Sequence, residues 1–230
     1  FICLCDGSTA LPFASSQDHK ARDDGDKGPN TGGMGAYSPA PVVSPDVYAR
    51  VMEEVIEPTI RGMASDGAPY VGFLYAGLMI MPDGCPKVIE FNCRFGDPEA
   101  QPVLMRLRSD LVGLCLAALD GKLAGRSLDW DERVALGVVM AAGGYPQSYE
   151  KGDVIHGLDA VDGPEVKTFH AGTAQRGGEV VTNGGRVLCV VGLGDTVASA
   201  QRKAYQGVAA IDWRNRYFRS DIGHRAVDRD

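Results

Sequence analysis

Alternation of apolar and polar residues predicts two hairpins in the first 100 residues of the chain. The segments FICLC and TALPF lie on either side of Asp6 and Gly7, a turn pair that is typical of a tight hairpin over residues 1–13. Residues 71–81 and 86–91 show a strand-like pattern as well and are joined by a Pro-Asp-Gly turn. We therefore expect two antiparallel hairpins, separated by other elements.

Helical spacing of apolar residues predicts three helices, over residues 45–63, 98–121 and 196–211. Each is preceded by a residue that can accept a hydrogen bond from the first turn, and two have proline at the first helical position. The first helix also contains an internal proline, which removes one backbone donor and predicts a bend. The predicted N-caps are Ser44, Asp97 and Asp195, and the predicted bend is at Pro58.

Short apolar runs in the second half of the chain predict a small antiparallel sheet with one principal helix. A tight Asn-Gly-Gly turn precedes the last of these runs. The polar, turn-rich segment 122–133 is typical of a domain boundary, so we expect one domain over residues 1–121 and another over residues 122–230. The four runs are residues 134–142, 154–158, 166–171 and 186–193.

Residues 16–41 contain many Gly, Pro, Asn and Asp residues and show neither strand nor helix periodicity. This composition predicts a long loop. Loops of this length are uncommon in compact domains unless they bind something or are disordered. Together, the predicted elements place the chain in the α/β (α+β) class.

Composition and charge narrow the class of protein. Apolar residues make up 44% of the chain and charged residues 23%, which is typical of a folded globular protein. The net charge of −7 and the pI near 5.1 disfavour a broad nucleic-acid surface. No apolar run is long enough to cross a bilayer and no leader pattern opens the sequence, so we expect a cytoplasmic protein without membrane attachment. The six cysteines lack the C-x-x-C spacing of a structural zinc site and predict reduced thiols.

The stretch VIEFNCRFGDPEAQ, residues 88–101, carries the most informative polar residues. Alternate residues of a strand share a face, so we expect Glu90, Asn92 and Arg94 to point the same way, about 7 Å apart per alternate pair. Carboxylate and amide oxygens suit Mg²⁺, and a guanidinium can bind a carboxylate or a transferring phosphate. By alternation alone, a solvated polar face opposite the apolar residues of the same strand is an equally good interpretation.

Two longer motifs decide between these interpretations. E-F-N-x-R-F-G-D-P-E-x-Q at residues 90–101 and GPNTGGMGAYSP at residues 28–39 resemble signatures of the glycinamide ribonucleotide synthetase family, within the ATP-grasp superfamily. QDHK at residues 17–20, GFLYAGLM at 72–79 and AAGGYP at 141–146 extend the resemblance to essentially the whole chain. The resemblance implies the C-terminal part of an ATP-grasp domain followed by the small sheet domain.

The resemblance also implies a reaction and its participants. ATP would phosphorylate the carboxylate of glycine to glycyl phosphate, and the amine of 5-phosphoribosylamine would then attack it. The products would be glycinamide ribonucleotide, ADP and phosphate, in an early step of de novo purine synthesis. ATP is then the co-substrate and Mg²⁺ or Mn²⁺ the cofactor, with Glu90 and Asn92 as its protein ligands. Arg94 would stabilise the charge that develops beside the acyl phosphate.

The remaining candidate residues lie in two segments. Asp97 and Glu99 would orient the arginine or meet the incoming amine, although acids in a first helical turn also have a purely structural role. Lys20 is the candidate for a phosphate or carboxylate contact, with Asp18 or His19 fixing its position, and a solvated charged turn is the alternative for all three residues. Glycines of the long loop would let N–H groups approach an anion, as in a phosphate-binding nest, unless the loop is simply a flexible surface segment. The loop residues assigned to substrate binding are Asn30, Thr31, Gly32, Gly33 and Gly35.

The chain departs from the family pattern in two ways. ATP-grasp ligases often carry another acid on the strand before the Glu-x-Asn pair, and hairpin pairing places Gly77 there. The family's N-terminal domain and glycine-rich ATP lid have no counterpart in this sequence, so we expect the chain alone to be an inactive fragment. A biotin-carboxylase-like ligase and a non-catalytic binding fragment are the competing hypotheses. Contact of residues 28–39 with a ribose phosphate would exclude the biotin-carboxylase-like ligase. Affinity for a nucleotide would exclude the non-catalytic fragment.

Overall fold

A computed structural model describes residues 1–227 and separates the chain into two units, each assembled from three stretches. The division at residues 121 and 122 into two continuous domains stays a prediction, and the two units do not coincide with it. Unit 1 comprises Phe1–Ser15, Ala40–Gly96 and Leu107–Asp131, and unit 2 comprises Ser16–Pro39, Asp97–Arg106 and the chain from Glu132 onward.

The described residues form thirteen strands, and all pairs between them are antiparallel. In chain order they are β1 (Ile2–Asp6), β2 (Ala10–Pro12), β3 (Gln17–Asp18), β4 (Ala21–Asp23), β5 (Lys27–Asn30), β6 (Gly35–Ser38), β7 (Val71–Ile80), β8 (Pro86–Asn92), β9 (Val134–Ala141), β10 (Val166–His170), β11 (Thr173–Arg176), β12 (Glu179–Thr182) and β13 (Arg186–Gly194).

Six α-helices accompany the strands in the described part of the chain, together with a π-helical turn at Met52–Ile56 and a 3-10 turn at Leu158–Ala160. None of the described helices is long and apolar enough to cross a membrane. The α-helices are α1 (Pro45–Val51), α2 (Glu57–Ser65), α3 (Ala100–Arg106), α4 (Leu111–Leu119), α5 (Val197–Ala210) and α6 (His224–Val227).

Unit 1 is built on a four-stranded sheet of order β2-β1-β7-β8, which confirms both predicted hairpins. Apolar residues of β1 and β7 pack with the buried face of the helical segment that begins at Pro45, and Val51, Ile56 and Ile60 lie in this core. The predicted cap is confirmed, since the Ser44 hydroxyl accepts a hydrogen bond from the N–H of Val47. The sequence pattern is therefore a good guide to unit 1.

The predicted bend at Pro58 takes the form of the π-helical turn immediately before it. There the N–H of Glu57 donates to the carbonyl of Met52, five residues earlier. Proline has no N–H to donate, and in a regular α-helix its ring would clash with the carbonyl four residues before it. A widened turn at this point accommodates the ring without ending the helical segment.

Unit 2 is built on a five-stranded sheet of order β10-β13-β9-β6-β3. Strands β9 and β13 are buried along nearly their whole length, and one face of α5 packs on them through residues such as Ala200, Ala204 and Val208. Two shorter ribbons, β11-β12 and β4-β5, complete the unit. The expected mixed fold with antiparallel sheets and one principal helix in the second half is confirmed.

The prediction of a structureless loop over residues 16–41 is wrong, because four strands lie within it. Strand β6 forms four residue pairs with β9, from Gly35–Val138 to Ser38–Ala135. Its partner lies about a hundred residues further along the chain. A short strand whose partner is so distant shows no clear alternation in its own sequence. The prediction therefore rested on the glycine-rich composition, which is typical of loops.

The single predicted helix over residues 98–121 is two helices in different units. Helix α3 ends at Arg106, the backbone then pairs at Leu107 with Trp130, and Asp110 caps α4 by accepting from the N–H of Val112. The helix also begins at Ala100 and not directly at Pro98. Because leucines at helical spacing continue through the break, the sequence pattern does not show where α3 ends and α4 begins.

Two smaller predictions in the second half are also wrong. Residues 154–158 form only isolated bridges, at Val154 and His156, and not a strand. Helix α5 is capped by Thr196 and not by Asp195: the Thr196 hydroxyl accepts from the N–H of Ser199, and the Ser199 hydroxyl accepts in return from the N–H of Thr196. This reciprocal capping box satisfies two otherwise unpaired donors.

Candidate functional site

In unit 1, the predicted metal ligands lie on β8, the edge strand of the sheet. Glu90 is exposed and Asn92 is partly exposed, and their spacing by two places both side chains on one face of the strand. The register puts Glu90 opposite Gly77, as expected from the hairpin. A Cβ at Gly77 would lie 3.1 Å from Glu90 Cγ, so the missing side chain leaves room for the carboxylate arm.

Arg94 does not share that face by strand alternation. Strand β8 ends at Asn92, and Arg94 lies in the bend that follows, exposed, with Nη1 donating to the carbonyl of Phe95 at 3.0 Å. The assumption of a strand that continues to Arg94 is therefore wrong, because the chain leaves the sheet after Asn92. All three residues are accessible on unit 1, and none of them is packed inside it.

The oxygen atoms of Glu90 and Asn92 fit a hard divalent cation. Mg²⁺ and Mn²⁺ prefer carboxylate, carbonyl and water oxygens, and Mg²⁺ usually takes one or two protein groups together with substrate phosphates. Because Gly77 offers no third ligand, this pair supplies at most three side-chain oxygens. Such a site depends on phosphate oxygens to complete its coordination.

The other predicted residues lie in unit 2. Lys20 Nζ is 3.2 Å from Asp18 Oδ2, which is the pairing expected for these two residues. Asp97 is exposed, whereas Glu99 is only 3% exposed. Burial favours the structural alternative for Glu99, since an incoming amine could not reach its carboxylate in this conformation.

The glycine-rich stretch after β5 has a defined conformation in unit 2, but it is not a nest of free donors. The N–H groups of Thr31, Gly32, Gly33 and Met34 all donate within the unit. Their acceptors are, in order, the Lys20 carbonyl, the Tyr145 hydroxyl, the Thr31 hydroxyl and the His19 carbonyl, at 2.8, 3.0, 2.9 and 2.8 Å. These four N–H groups therefore do not offer free donors to an anion in this conformation, and the assignment of Asn30, Thr31, Gly32, Gly33 and Gly35 to substrate binding stays a prediction.

One functional candidate that the sequence analysis missed is Arg186, the first residue of β13. Its guanidinium donates to the carbonyls of Gly32 and Asp97 and to the Asp97 carboxylate. The only sequence signal was the tight Asn-Gly-Gly turn directly before it. Nothing in the spacing linked that turn to residues so far away in the chain.

A second cluster surrounds His19, which the sequence analysis named only as a possible partner of Lys20 and which is fully buried. Its Nε2 accepts from the N–H of Gly223 at 3.0 Å, so the proton of the neutral ring lies on Nδ1, which faces Asp26 Oδ1 at 3.4 Å. Burial, with Arg219 adding to it, lowers the pKa of His19 to about 4. The ring is therefore neutral at physiological pH.

His19, Asp26 and His224 lie close enough together to share a cation, but their contacts do not favour one. Asp26 accepts from Arg219 at 2.9 Å and from Arg225 at 2.6 Å, and despite partial burial these guanidiniums lower its pKa to about 2. The carboxylate is thus already neutralised, and His19 Nε2 is occupied by a backbone donor. Glu90 and Asn92 therefore stay the predicted metal ligands.

Comparison with known families matches the chain to two models. Residues 1–100 match the phosphoribosylglycinamide synthetase ATP-grasp (A) domain, and residues 135–225 match the phosphoribosylglycinamide synthetase C domain. Both models therefore point to one family, and together they cover most of the chain.

Among similar proteins, the phosphoribosylamine–glycine ligase of Allochromatium vinosum is 66% identical over all 230 residues, and that of Yersinia pestis is 64% identical. The chain covers 54% of each of these relatives, so it spans about half the length of the curated relatives that it matches. The crystal structure of phosphoribosylamine–glycine ligase from Thermotoga maritima superimposes with a TM-score of 0.85 at 36% identity, covering 96% of this chain and 54% of that one.

A more distant likeness concerns the fold alone. The biotin carboxylase subunit of pyruvate carboxylase gives a TM-score of 0.63 at 15% identity, covering 94% of this chain and 46% of that one. The fold of this chain is thus shared beyond the range of recognisable sequence similarity.

Proposed function

This chain belongs to the phosphoribosylglycinamide synthetase family, and on that premise we propose that it is the C-terminal part of a phosphoribosylamine–glycine ligase. The reaction is the ATP-dependent phosphorylation of glycine to glycyl phosphate, followed by attack of the amine of 5-phosphoribosylamine. The products are glycinamide ribonucleotide, ADP and phosphate. The observation that carries this proposal is the identity of 60–66% with ligases of that name over the whole chain.

Glu90 and Asn92 hold Mg²⁺ or Mn²⁺ in this proposal. When bound, the divalent ion neutralises phosphate charge on ATP and orients the transferring phosphoryl group. Two accessible oxygen ligands at the end of an edge strand are well suited to a cation that is shared with a nucleotide. Gly77 has no side chain that would crowd Glu90 Cγ.

Arg94 acts as an electrostatic group at the acyl phosphate. Its guanidinium is exposed at the end of β8 and makes only one hydrogen bond that is resolved here, to the Phe95 carbonyl. A planar cation of this kind binds two oxygens of a phosphate at once. Lys20, held by Asp18, and the exposed Asp97 serve the second substrate, with residues 30–35 framing its ribose phosphate.

The proposed enzyme works in the cytoplasm and uses neither nucleic acid nor a membrane surface. The net charge of −7 fits small anionic ligands bound at local cations better than a polyanion bound along a surface. We also propose that the 230-residue chain alone does not turn over, because its relatives are nearly twice as long.

The test is the replacement of Glu90 and of Arg94 in the full-length protein. Full-length here means this chain together with any sequence that precedes or follows it in its gene. Glu90→Ala and Arg94→Ala should each lower glycine-dependent ADP release by about 100-fold or more. The first removes a ligand of the divalent ion that neutralises phosphate charge, and the second removes the cation beside the acyl phosphate. The melting temperature should stay unchanged, because both side chains are exposed.

Matched controls are available on α2 of the same unit. Glu57 and Arg61 are exposed and form an ordinary i,i+4 pair at 3.2 Å, so Glu57→Ala and Arg61→Ala remove the same charges away from the candidate residues. Both controls should retain full activity. Near-normal turnover of Glu90→Ala or Arg94→Ala would overturn the proposed roles.

A further inference from the structure

Arg186 joins three segments of unit 2 that are far apart in sequence. Its Nη1 donates to the carbonyl oxygens of Gly32 at 2.8 Å and of Asp97 at 2.9 Å, and its Nη2 donates to Asp97 Oδ2 at 2.8 Å. Only 21% of its side chain is exposed. One guanidinium therefore fixes a loop residue and a candidate acid together.

The peptide of Gly32 is held from its other side as well. Its N–H donates to the hydroxyl of Tyr145 at 3.0 Å, while its carbonyl accepts from Arg186. A Cβ on Gly32 would lie 2.9 Å from Cζ of Arg186, so only glycine lets the guanidinium approach this closely. Both polar groups of this residue thus serve to place the loop.

The Asp97 carboxylate is oriented but still reachable. Oδ2 accepts from Arg186, and Oδ1 accepts from Nε2 of Gln101 at 3.3 Å. Even so, the side chain is 48% exposed. An acid that is held by two donors and open to solvent is well placed to accept a proton or a hydrogen bond from a ligand.

We propose that Arg186 is a positioning residue for the phosphoribosylamine site, because it sets the Gly32 carbonyl and the Asp97 carboxylate in the geometry that receives the amine substrate. This inference rests on the ligase function proposed above. Arg186 acts through Gly32 and Asp97 and does not itself contact substrate. Tyr145 completes the same arrangement from the N–H side of Gly32.

Lysine should be a poor replacement for Arg186 because the two side chains differ in the number and geometry of their donors. Arginine offers a rigid fork of donors, and three of its N–H groups are used here on acceptors in two different directions. A lysine ammonium can pair with the Asp97 carboxylate, but as a compact group it cannot also reach both carbonyls in this geometry. Lysine should therefore restore the ion pair and only part of the positioning.

Kinetics of the full-length protein test this role. Arg186→Met should raise the KM for phosphoribosylamine about ten-fold and leave the KM for ATP within about two-fold, since one charge-assisted contact is worth about one decade. Arg186→Lys should recover part of the loss. Lys167→Met is the matched control, because it removes an exposed cation of unit 2 that pairs with Asp162.

A double-mutant cycle shows whether Arg186 acts through Asp97. If it does, Arg186→Met should add little to the defect of Asp97→Asn, so the two effects should be strongly non-additive. Amide hydrogen exchange gives a readout that does not need activity. In Arg186→Met, the amides of residues 31–34 should exchange at least about ten-fold faster, while those of β9 keep their protection.

Each outcome decides between specific alternatives. An active wild-type protein whose KM for phosphoribosylamine is unchanged in Arg186→Met overturns the positioning role. So does faster exchange of β9 together with residues 31–34, because that pattern means a general loss of stability. Absence of glycine-dependent ADP release in the unmodified full-length protein refutes the ligase function, and with it the role of Arg186 in it.

Discussion

The stability of unit 2 should fall between pH 7 and pH 5 because of one buried histidine. His19 is fully buried, and its Nε2 faces the N–H of Gly223, so a proton at that nitrogen would place two donors against each other. Burial and the nearby Arg219 lower its pKa from 6.5 to about 4. The folded state therefore resists a proton that the unfolded state accepts.

The sign and size of the effect follow from linkage. Below pH 6.5 the unfolded chain binds a proton at this residue and the folded chain does not, so stability is complete above pH 6.5 and is lost as the pH falls towards 4. The full loss amounts to about 3 kcal/mol, of which about 2 kcal/mol falls between pH 7 and pH 5. Asp26, with its pKa lowered to about 2, contributes only at lower pH.

Urea unfolding followed by tryptophan fluorescence can isolate unit 2. The chain has two tryptophans, and Trp213 is buried in unit 2 whereas Trp130 lies in unit 1. A Trp130→Phe background leaves Trp213 as the single reporter. In that background His19→Gln keeps an acceptor for Gly223 but cannot titrate, so its unfolding free energy should change about 2 kcal/mol less over this pH range.

The reasoning fails if the two proteins show parallel stability profiles between pH 5 and pH 7. It also fails if the parent protein is equally stable at both values. Either result would mean that His19 takes up its proton in the folded state, which the donor at Gly223 should prevent.

Two further predictions compare a substitution with a matched control in unit 2. Gly33→Ala should destabilise the unit by about 2 to 4 kcal/mol in urea unfolding, since φ is +115° and an added Cβ would overlap Pro98 Cδ. Gly177→Ala, at φ +60° with open space around it, should cost about 1 kcal/mol, and equal losses would argue against the clash. Thr196→Ala should cost about 1 kcal/mol by removing the cap of α5, whereas Asp195→Ala should be near neutral, and the reverse order would restore Asp195 as the cap.

Elements with a local period could be predicted from the sequence. The hairpin of β7 and β8 and helix α5 repeat apolar residues at intervals of two and of three to four, and their partners lie close by in the chain. The same holds for Glu90 and Asn92, whose shared face follows from strand geometry alone. The position of Arg94 outside the strand could not be predicted in this way. A strand ends where its backbone groups no longer find hydrogen-bond partners, and the alternation of apolar and polar residues does not show that point.

Features that depend on distant partners could not be predicted. Helix α3 ends at Arg106, which donates to the Arg133 carbonyl at 2.7 Å and to the Ser38 hydroxyl at 2.9 Å. An arginine in a leucine-rich helix suggests an exposed position, yet this one is buried because it satisfies acceptors from two other segments. The role of Arg186 has the same origin, since both of its partners are remote in sequence.

The segment before β6 is ordered by contacts with residues near the C-terminus. Ordering each residue costs about 1 to 2 kcal/mol of backbone entropy, and residues 22–26 bury few apolar atoms that could offset it. Instead, a C-terminal stretch supplies polar partners: Ser220 binds Asp24, the Asp221 carboxylate accepts from Gly25, and buried Arg219 binds Asp26 and the Ala21 carbonyl. Buried ionic contacts of this kind are costly to leave half-made, so the segment and its partner must order together. Residues 21–26, which lie between the candidate substrate contacts at Lys20 and at residues 30–35, are therefore held in place by side chains nearly two hundred residues away, whereas composition alone predicted a loop.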